Sequence, residues 1–133
     1  MARKVPKPTA AELAILQVLW DRGPSTVRDV HEALSKRQTG YTTVLKLMQI
    51  MAKKGLVRRD DSRKTHIYQV SLPKERTERQ LVSDLLERAF RGSAERLVMR
   101  ALESRRISAD ELARIKKLLD EQEGRQNDRT KRD

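Results

Sequence analysis

The stretch Tyr41–Val57, YTTVLKLMQIMAKKGLV, decides the fold. On a helix that turns about 100° per residue, Val44, Leu47, Met48 and Met51 gather on one side, and Thr42, Lys46, Gln49 and Lys53 gather on the other. The first set can pack on neighbouring helices. The second offers hydroxyl, ammonium and amide groups in a row, the groups that bond base edges and phosphates in a major groove. No carboxylate lies on this helix, so nothing on it repels phosphate. Thr43 and Leu45 sit at the margin between the two faces. Leu45 either closes the edge of the core or touches a thymine methyl, and the wheel does not separate the two. A polar face by itself is what any solvated helix shows. What surrounds this one gives it meaning.

Downstream, Gly55 ends the helix, and Leu56–Arg59 and Thr65–Val70 suit strands flanking a turn at Asp60–Lys64. Arg58, Arg59, Arg63 and Lys64 surround that turn. Laid beside a groove, such a hairpin would set its cations on the phosphate backbone. Asp60 and Asp61 work against this and instead suit the shaping of the turn. Upstream, Thr9-Ala10-Ala11-Glu12 is a capping box. It predicts a helix with Leu13, Leu16 and Trp20 on one face, broadened by Ile15 and Leu19, and stopped at Gly23-Pro24. Thr26 caps a second helix with Asp29 at its third position, and Val27, Val30, Ala33 and Leu34 form its apolar stripe. Arg37–Gly40 is a polar turn. Three helices followed by a basic hairpin make a winged helix. Residues 1–8, with Pro6 and Pro8, read as a flexible basic arm.

Beyond Pro73 the pattern is helical throughout. Leu81, Val82, Leu85, Leu86, Ala89 and Phe90 recur at helical spacing, and Gly92 breaks the run. Ser93 caps a segment carrying Leu97, Val98, Ala101 and Leu102. Ser108-Ala109-Asp110-Glu111 is another capping box, ahead of Leu112, Ile115, Leu118 and Leu119. Three amphipathic helices are too few to close a core alone. Pairing with a second copy would bury their stripes at about 25 cal/mol per Å2, and the alternative is packing back on the first domain. The candidate dimerisation residues are Leu81, Leu85, Leu86, Phe90, Leu97, Leu102, Leu112, Ile115 and Leu119. No apolar residue follows Gly124, which predicts a disordered charged tail. The expected organisation is an arm at 1–8, a winged helix at 9–72, a helical dimerisation domain at 73–123 and a tail at 124–133. The fold class is mainly α with a small β-hairpin wing.

The charge agrees with a polyanionic partner. The 133 residues carry a net charge of +11, and residues 1–72 hold 14 Lys+Arg against 6 Asp+Glu (net +8), whereas residues 73–133 hold 16 against 13 (net +3). With no cysteine, disulfides, zinc fingers and thiol switches are excluded. No apolar run is long enough for a membrane span, and no apolar segment follows Met1-Ala2-Arg3-Lys4 to make a signal peptide, so the expected location is the cytoplasm. His31 and His66 stand apart from each other, without ligand-like neighbours. There is no Gly-rich phosphate loop, nucleophile elbow or H-E-x-x-H motif. An enzyme, a cofactor and a metal site are therefore not expected.

The segments TAAELAILQVLW (9–20), TVRDVHEALSK (26–36) and YTTVLKLMQIMAKKGLV (41–57), with Tyr68 closing the wing, resemble the BlaI/MecI/CopY family of bacterial repressors. LVSDLLERAFRGSAERLVMRAL (81–102) and ISADELARIKKLL (107–119) resemble the same family's dimerisation helices. The resemblance implies a winged helix whose third helix enters the major groove, a dimer formed through the C-terminal helices, and repression from a dyad-symmetric operator. It sets Thr42, Thr43 and Lys46 toward DNA, with Lys64 as the basic wing residue. Together with the helical wheel and the wing, the candidate DNA-binding set is Thr42, Thr43, Lys46, Gln49, Lys53, Arg63 and Lys64. Copper-sensing relatives carry a cysteine-rich metal site that this chain lacks. Relatives that respond to β-lactams are cut at an Asn–Phe bond in the dimerisation arm, and the matching position here is Arg100-Ala101, so a link to β-lactams does not follow. A regulatory protease remains an implied partner. The alternative reading is a winged-helix module that coats DNA without sequence preference or binds protein.

Overall fold

Two reciprocal capping boxes start the molecule. Glu12 N donates to Thr9 Oγ1 (3.2 Å) while Thr9 N donates to Glu12 Oε1 (2.9 Å), and α1 (Ala10–Arg22) follows. Thr26 and Asp29 repeat the arrangement with two bonds of 3.1 Å ahead of α2 (Val27–Ala33), and the Thr26 amide first and its hydroxyl second hold the Asp29 carboxyl below its ordinary pKa. After α2 the chain makes one 3-10 turn, Ser35–Arg37, and leaves it through Gln38 at φ 57°. Then α3 (Tyr41–Lys54) runs to Gly55, whose φ of 86° is a conformation that glycine adopts without a Cβ penalty.

The computed structural model describes residues 5–132. Strands β1 (Val57–Asp60) and β2 (Ile67–Val70) pair antiparallel with Val57 opposite Val70 and Arg59 opposite Tyr68. Ser25 adds a single bridge to Tyr68, with backbone bonds of 2.9 and 2.8 Å, and so ties the α1–α2 connection to the hairpin. Ile15, Leu16, Leu19, Val27, Val30, Leu34, Val44, Met48, Met51, Leu56, Val57 and Tyr68 form one buried cluster. Each such aliphatic side chain contributes about 1.5–3 kcal/mol of burial free energy. The buried centre of α1 is Ile15, Leu16 and Leu19, with Leu13 and Trp20 only half-buried. That rotates the expected face, because α1 packs against α2, α3 and β2 at once. Trp20 is covered instead by Lys74, whose ammonium lies 5.7 Å from the ring centroid.

The chain divides into two compact units, one ending at Asp84 and one beginning at Leu85. The division falls inside α4 (Lys74–Phe90) rather than at residue 73. Physical anchors explain it. Thr77 is buried, Lys74 sits on Trp20, Gln80 Nε2 donates to the Val5 carbonyl (2.9 Å), and Lys7 pairs with Asp84. The expected flexible arm is therefore partly packed: Val5 lies against the core and Pro8 is buried. Residues 1–4 of that arm lie outside the described residues.

In the second unit, Arg91 (φ 48°) and Gly92 (φ 83°) separate the end of α4 from α5 (Ala94–Glu103). Ser93 and Ser108 each accept an amide bond three residues on, and α6 (Ala109–Arg132) follows the latter. The helix continues through Gly124, where the sequence predicts disorder. Glu121, Gln122, Glu123, Arg125 and Gln126 are strong helix formers, and one interior glycine costs only about 1 kcal/mol. Thr130 Oγ1 also bonds the Gln126 carbonyl at 3.0 Å. Among the described residues, no helix is long and apolar enough to cross a membrane.

Candidate nucleic-acid interface

The candidate face begins with α3. Its buried side is Val44, Met48 and Met51, all without solvent exposure, with Leu47 half-buried. Thr42, Thr43, Lys46, Gln49 and Lys53 are all exposed. No acidic residue and no side-chain cap occupies the first turn, so the positive end of the helix is uncompensated.

Between α3 and the hairpin lies an open cleft of about 660 Å³, lined by Arg28, Tyr41, Leu45, Gln49, Arg59 and Lys64 among others. A second open cleft, lined by Gln49, Lys53, Arg59 and Asp61 with Ala52 and Tyr68, shares Gln49, Arg59 and Tyr68 with the first. Leu45, half-buried, thus belongs to the cleft wall as well as to the margin of the core. Arg28 and Tyr41 were not in the candidate set. Tyr41, Leu45 and Gln49 recur at i, i+4 and i+8, a stripe that the helical wheel could have shown. His31 has a structural part here, with its ring edge-on to Tyr41 at 5.7 Å.

The wing sorts its cations by the pleat of the strand. Arg59 opposes Tyr68 and shares its face of the hairpin, whereas Arg58 opposes Gln69 and points to the other face. Arg59 and Lys64 line the cleft beside α3, and Arg63 is exposed at the turn. The two aspartates differ as well. Asp60 Oδ1 accepts from Ser62 N (2.9 Å), which shapes the turn, and the Ser62 hydroxyl first and this amide second hold its carboxyl below the ordinary range. Asp61 pairs with Arg59 at two points, Nε to Oδ1 at 2.6 Å and Nη2 to Oδ2 at 3.2 Å, and lies 3.7 Å from His66 Nε2. The Arg59 guanidinium pKa is raised by Asp61 first and by the Tyr68 phenol second.

Behind α3 stands a pair that the sequence did not reveal. Lys54 Nζ donates to Glu12 Oε2 at 2.8 Å, across 42 positions of chain. Glu12 is buried, and Lys54 is about one-third exposed. Burial alone would raise the Glu12 pKa. The Lys54 ammonium and the Thr9 amide outweigh it and leave the carboxyl lowered. One carboxylate thereby fastens the start of α1 to the end of α3.

The candidate dimerisation residues are spread over both units. Leu81 lies in the first. Leu85, Leu102, Leu112 and Leu119 are exposed, and Leu86, Phe90, Leu97 and Ile115 are half-buried.

Residues 8–121 match the penicillinase repressor family. The chain belongs to that family. The repressor is 36% identical over 115 residues to the transcriptional regulator BlaI of Mycobacterium tuberculosis, across 84% of this chain and 82% of that one. It is 22% identical over 127 residues to the penicillinase repressor of Bacillus licheniformis, across 95% and 99% of the two chains. Among solved structures, the DNA-binding domain of the repressor BlaI aligns at 22% identity and a TM-score of 0.49, over 55% of this chain and 90% of that domain. Membership makes the protein a sequence-specific DNA-binding transcriptional repressor, and not an enzyme.

Proposed function

We propose that the repressor reads double-stranded operator DNA with α3, steadies itself on phosphate with the wing, and works as a homodimer joined through the C-terminal helices. The observation that supports the reading is the continuous polar face of α3 beside a cleft carrying Arg28, Arg59 and Lys64. In this reading Thr42, Thr43, Lys46 and Gln49 meet base edges and nearby phosphates, and Lys53, Arg63 and Lys64 meet the backbone. Two α3 helices enter successive major grooves about 34–36 Å apart, which calls for a dyad-symmetric operator. The bound dimer then excludes polymerase, and the site of action is the cytoplasm. Dimerisation is supported by the apolar side chains left open on the second unit, which a second copy would cover. A regulatory protease acting near Arg100-Ala101 would divide the dimerisation element. That bond lies inside α5, so the protease must unwind a turn before cutting.

The test is to mix the full chain with sheared genomic DNA from its source and to sequence what survives competition by excess nonspecific DNA. Enrichment of a dyad motif at a few promoters is the expected result. Retention that shows no motif and collapses with added salt would identify a nonspecific binder.

A further inference from the structure

Asp61 is a carboxylate in the second cleft, which is otherwise lined by cations and neutral groups, and a carboxylate beside phosphate weakens nonspecific binding. Its position has a use that the charge balance does not show. It grips the Nε edge of the Arg59 guanidinium at two points, 2.6 and 3.2 Å. A guanidinium has five N–H donors, and this grip takes one on Nε and one on Nη2. The Tyr68 phenol engages the guanidinium as well, so two of the five N–H donors are left for DNA, and one on each Nη makes a parallel fork. That fork has the geometry that matches O6 and N7 of guanine. The strand register places Arg59 on the same hairpin face as buried Tyr68, and Arg59 lines the cleft wall together with Gln49 of α3. A cation that merely neutralises phosphate needs no such support, since lysine on a mobile stem does this.

We infer that Arg59 is a specificity-determining residue, reading a guanine edge in the operator, and that Asp61 is the positioning residue that aims it. The inference rests on the proposed use of the α3–wing face for DNA. It changes the part assigned to the wing from holding the backbone to reading sequence.

The experiment selects duplexes from a randomised pool with the full wild-type chain, then with R59K and D61N. Binding to the best recovered duplex is compared with binding to a scrambled duplex of the same composition. R59K keeps the charge and loses the fork. Its preference for guanine at one symmetry-related pair of positions should relax by about tenfold, with the salt dependence unchanged. D61N should weaken binding to the best duplex severalfold while leaving the scrambled duplex bound as well or better. Both side chains are partly exposed, and unchanged melting temperatures would exclude a folding defect.

Equal loss on every duplex with base preferences intact in R59K would make Arg59 a phosphate contact and overturn the inference. So would a D61N chain that binds both duplexes more tightly, because Asp61 would then only repel the backbone. A wild-type chain that selects no motif removes the reading face itself, and the role of Arg59 with it. A wild-type motif that persists in both variants removes the role of Arg59 alone.

Discussion

The two units of the repressor carry the same helical signal and resolve it differently. In the first, Ile15, Val30, Val44, Met48 and Met51 have no solvent exposure. In the second, Leu118 and Leu119 remain 60% and 56% exposed, and Leu85, Val98, Met99 and Leu112 are at 40% or more. Periodicity says that a face will be covered. It does not say by what. Around α3 the cover comes from the same chain, because α1, α2 and the hairpin approach from different directions. Along α5 and α6 the apolar stripe stays open among the described residues, and in the proposed dimer a second copy would cover it. The first unit is thus a finished core that offers a polar face, and the second an unfinished core that offers an apolar one.

The sharpest way to break this contrast is to remove the same amount of side chain from each. Met48→Ala should cost about 2–5 kcal/mol of stability, read as a lower urea midpoint for the full chain. Leu118→Ala in dilute protein should cost no more than about 0.5 kcal/mol. Equal costs would mean that the second unit already has a closed core of its own.

Next in size is Leu85→Asp. If the proposed dimer forms through this stripe, a carboxylate on it should abolish the self-association that sedimentation reads for wild type, because an unpaired charge cannot be buried there. The first unit should keep its thermal unfolding transition. A dimer that survives this change would move the interface away from the C-terminal helices.

These two experiments also mark where the sequence was legible. Thr9, Thr26, Ser93 and Ser108 announce helix starts because a cap involves residues three apart. The wing was visible because strand, turn and strand are consecutive. Relations across the chain were not. Nothing near Glu12 in the sequence points to Lys54, nothing at Ser25 points to Tyr68, and nothing at Val5 points to Gln80. The α3 face was legible as chemistry, but Arg28 and Tyr41 join its cleft only once α2 is folded against α3. Arg58 and Arg59 read alike until the register with Gln69 and Tyr68 separates them. At the end of α6, lack of apolar residues argues against packing, while the local propensity of Glu, Gln and Arg favours helix.

Lys46→Ala tests the polar face of the finished core. Operator affinity should fall about tenfold, the loss of one base-edge or phosphate contact, with stability and sedimentation unchanged. Unchanged affinity would transfer the reading function to other residues of the cleft.

The smallest expected effect concerns how that face is held. Glu12 has a lowered pKa in the folded chain, so it binds its proton less readily than in the unfolded chain. Its contribution is therefore present above the unfolded carboxylate pKa, about 4.3, and is lost as pH falls through the lower folded value. Glu12→Gln keeps the shape and removes the charge. It should cost about 1 kcal/mol at neutral pH, and the gap to wild type should close in acid, below about pH 4. Glu111→Gln is the matched change in the second unit, where the Arg105 pair at 3.2 Å is mostly exposed. It should shift stability by no more than about 0.5 kcal/mol. Unfolding curves for wild type and both variants from neutral pH into acid separate the cases. If Glu12→Gln runs parallel to wild type down the acid limb, the buried carboxylate does not clamp α1 to α3. In that case α3 would be held by its apolar side alone, through Val44, Met48 and Met51.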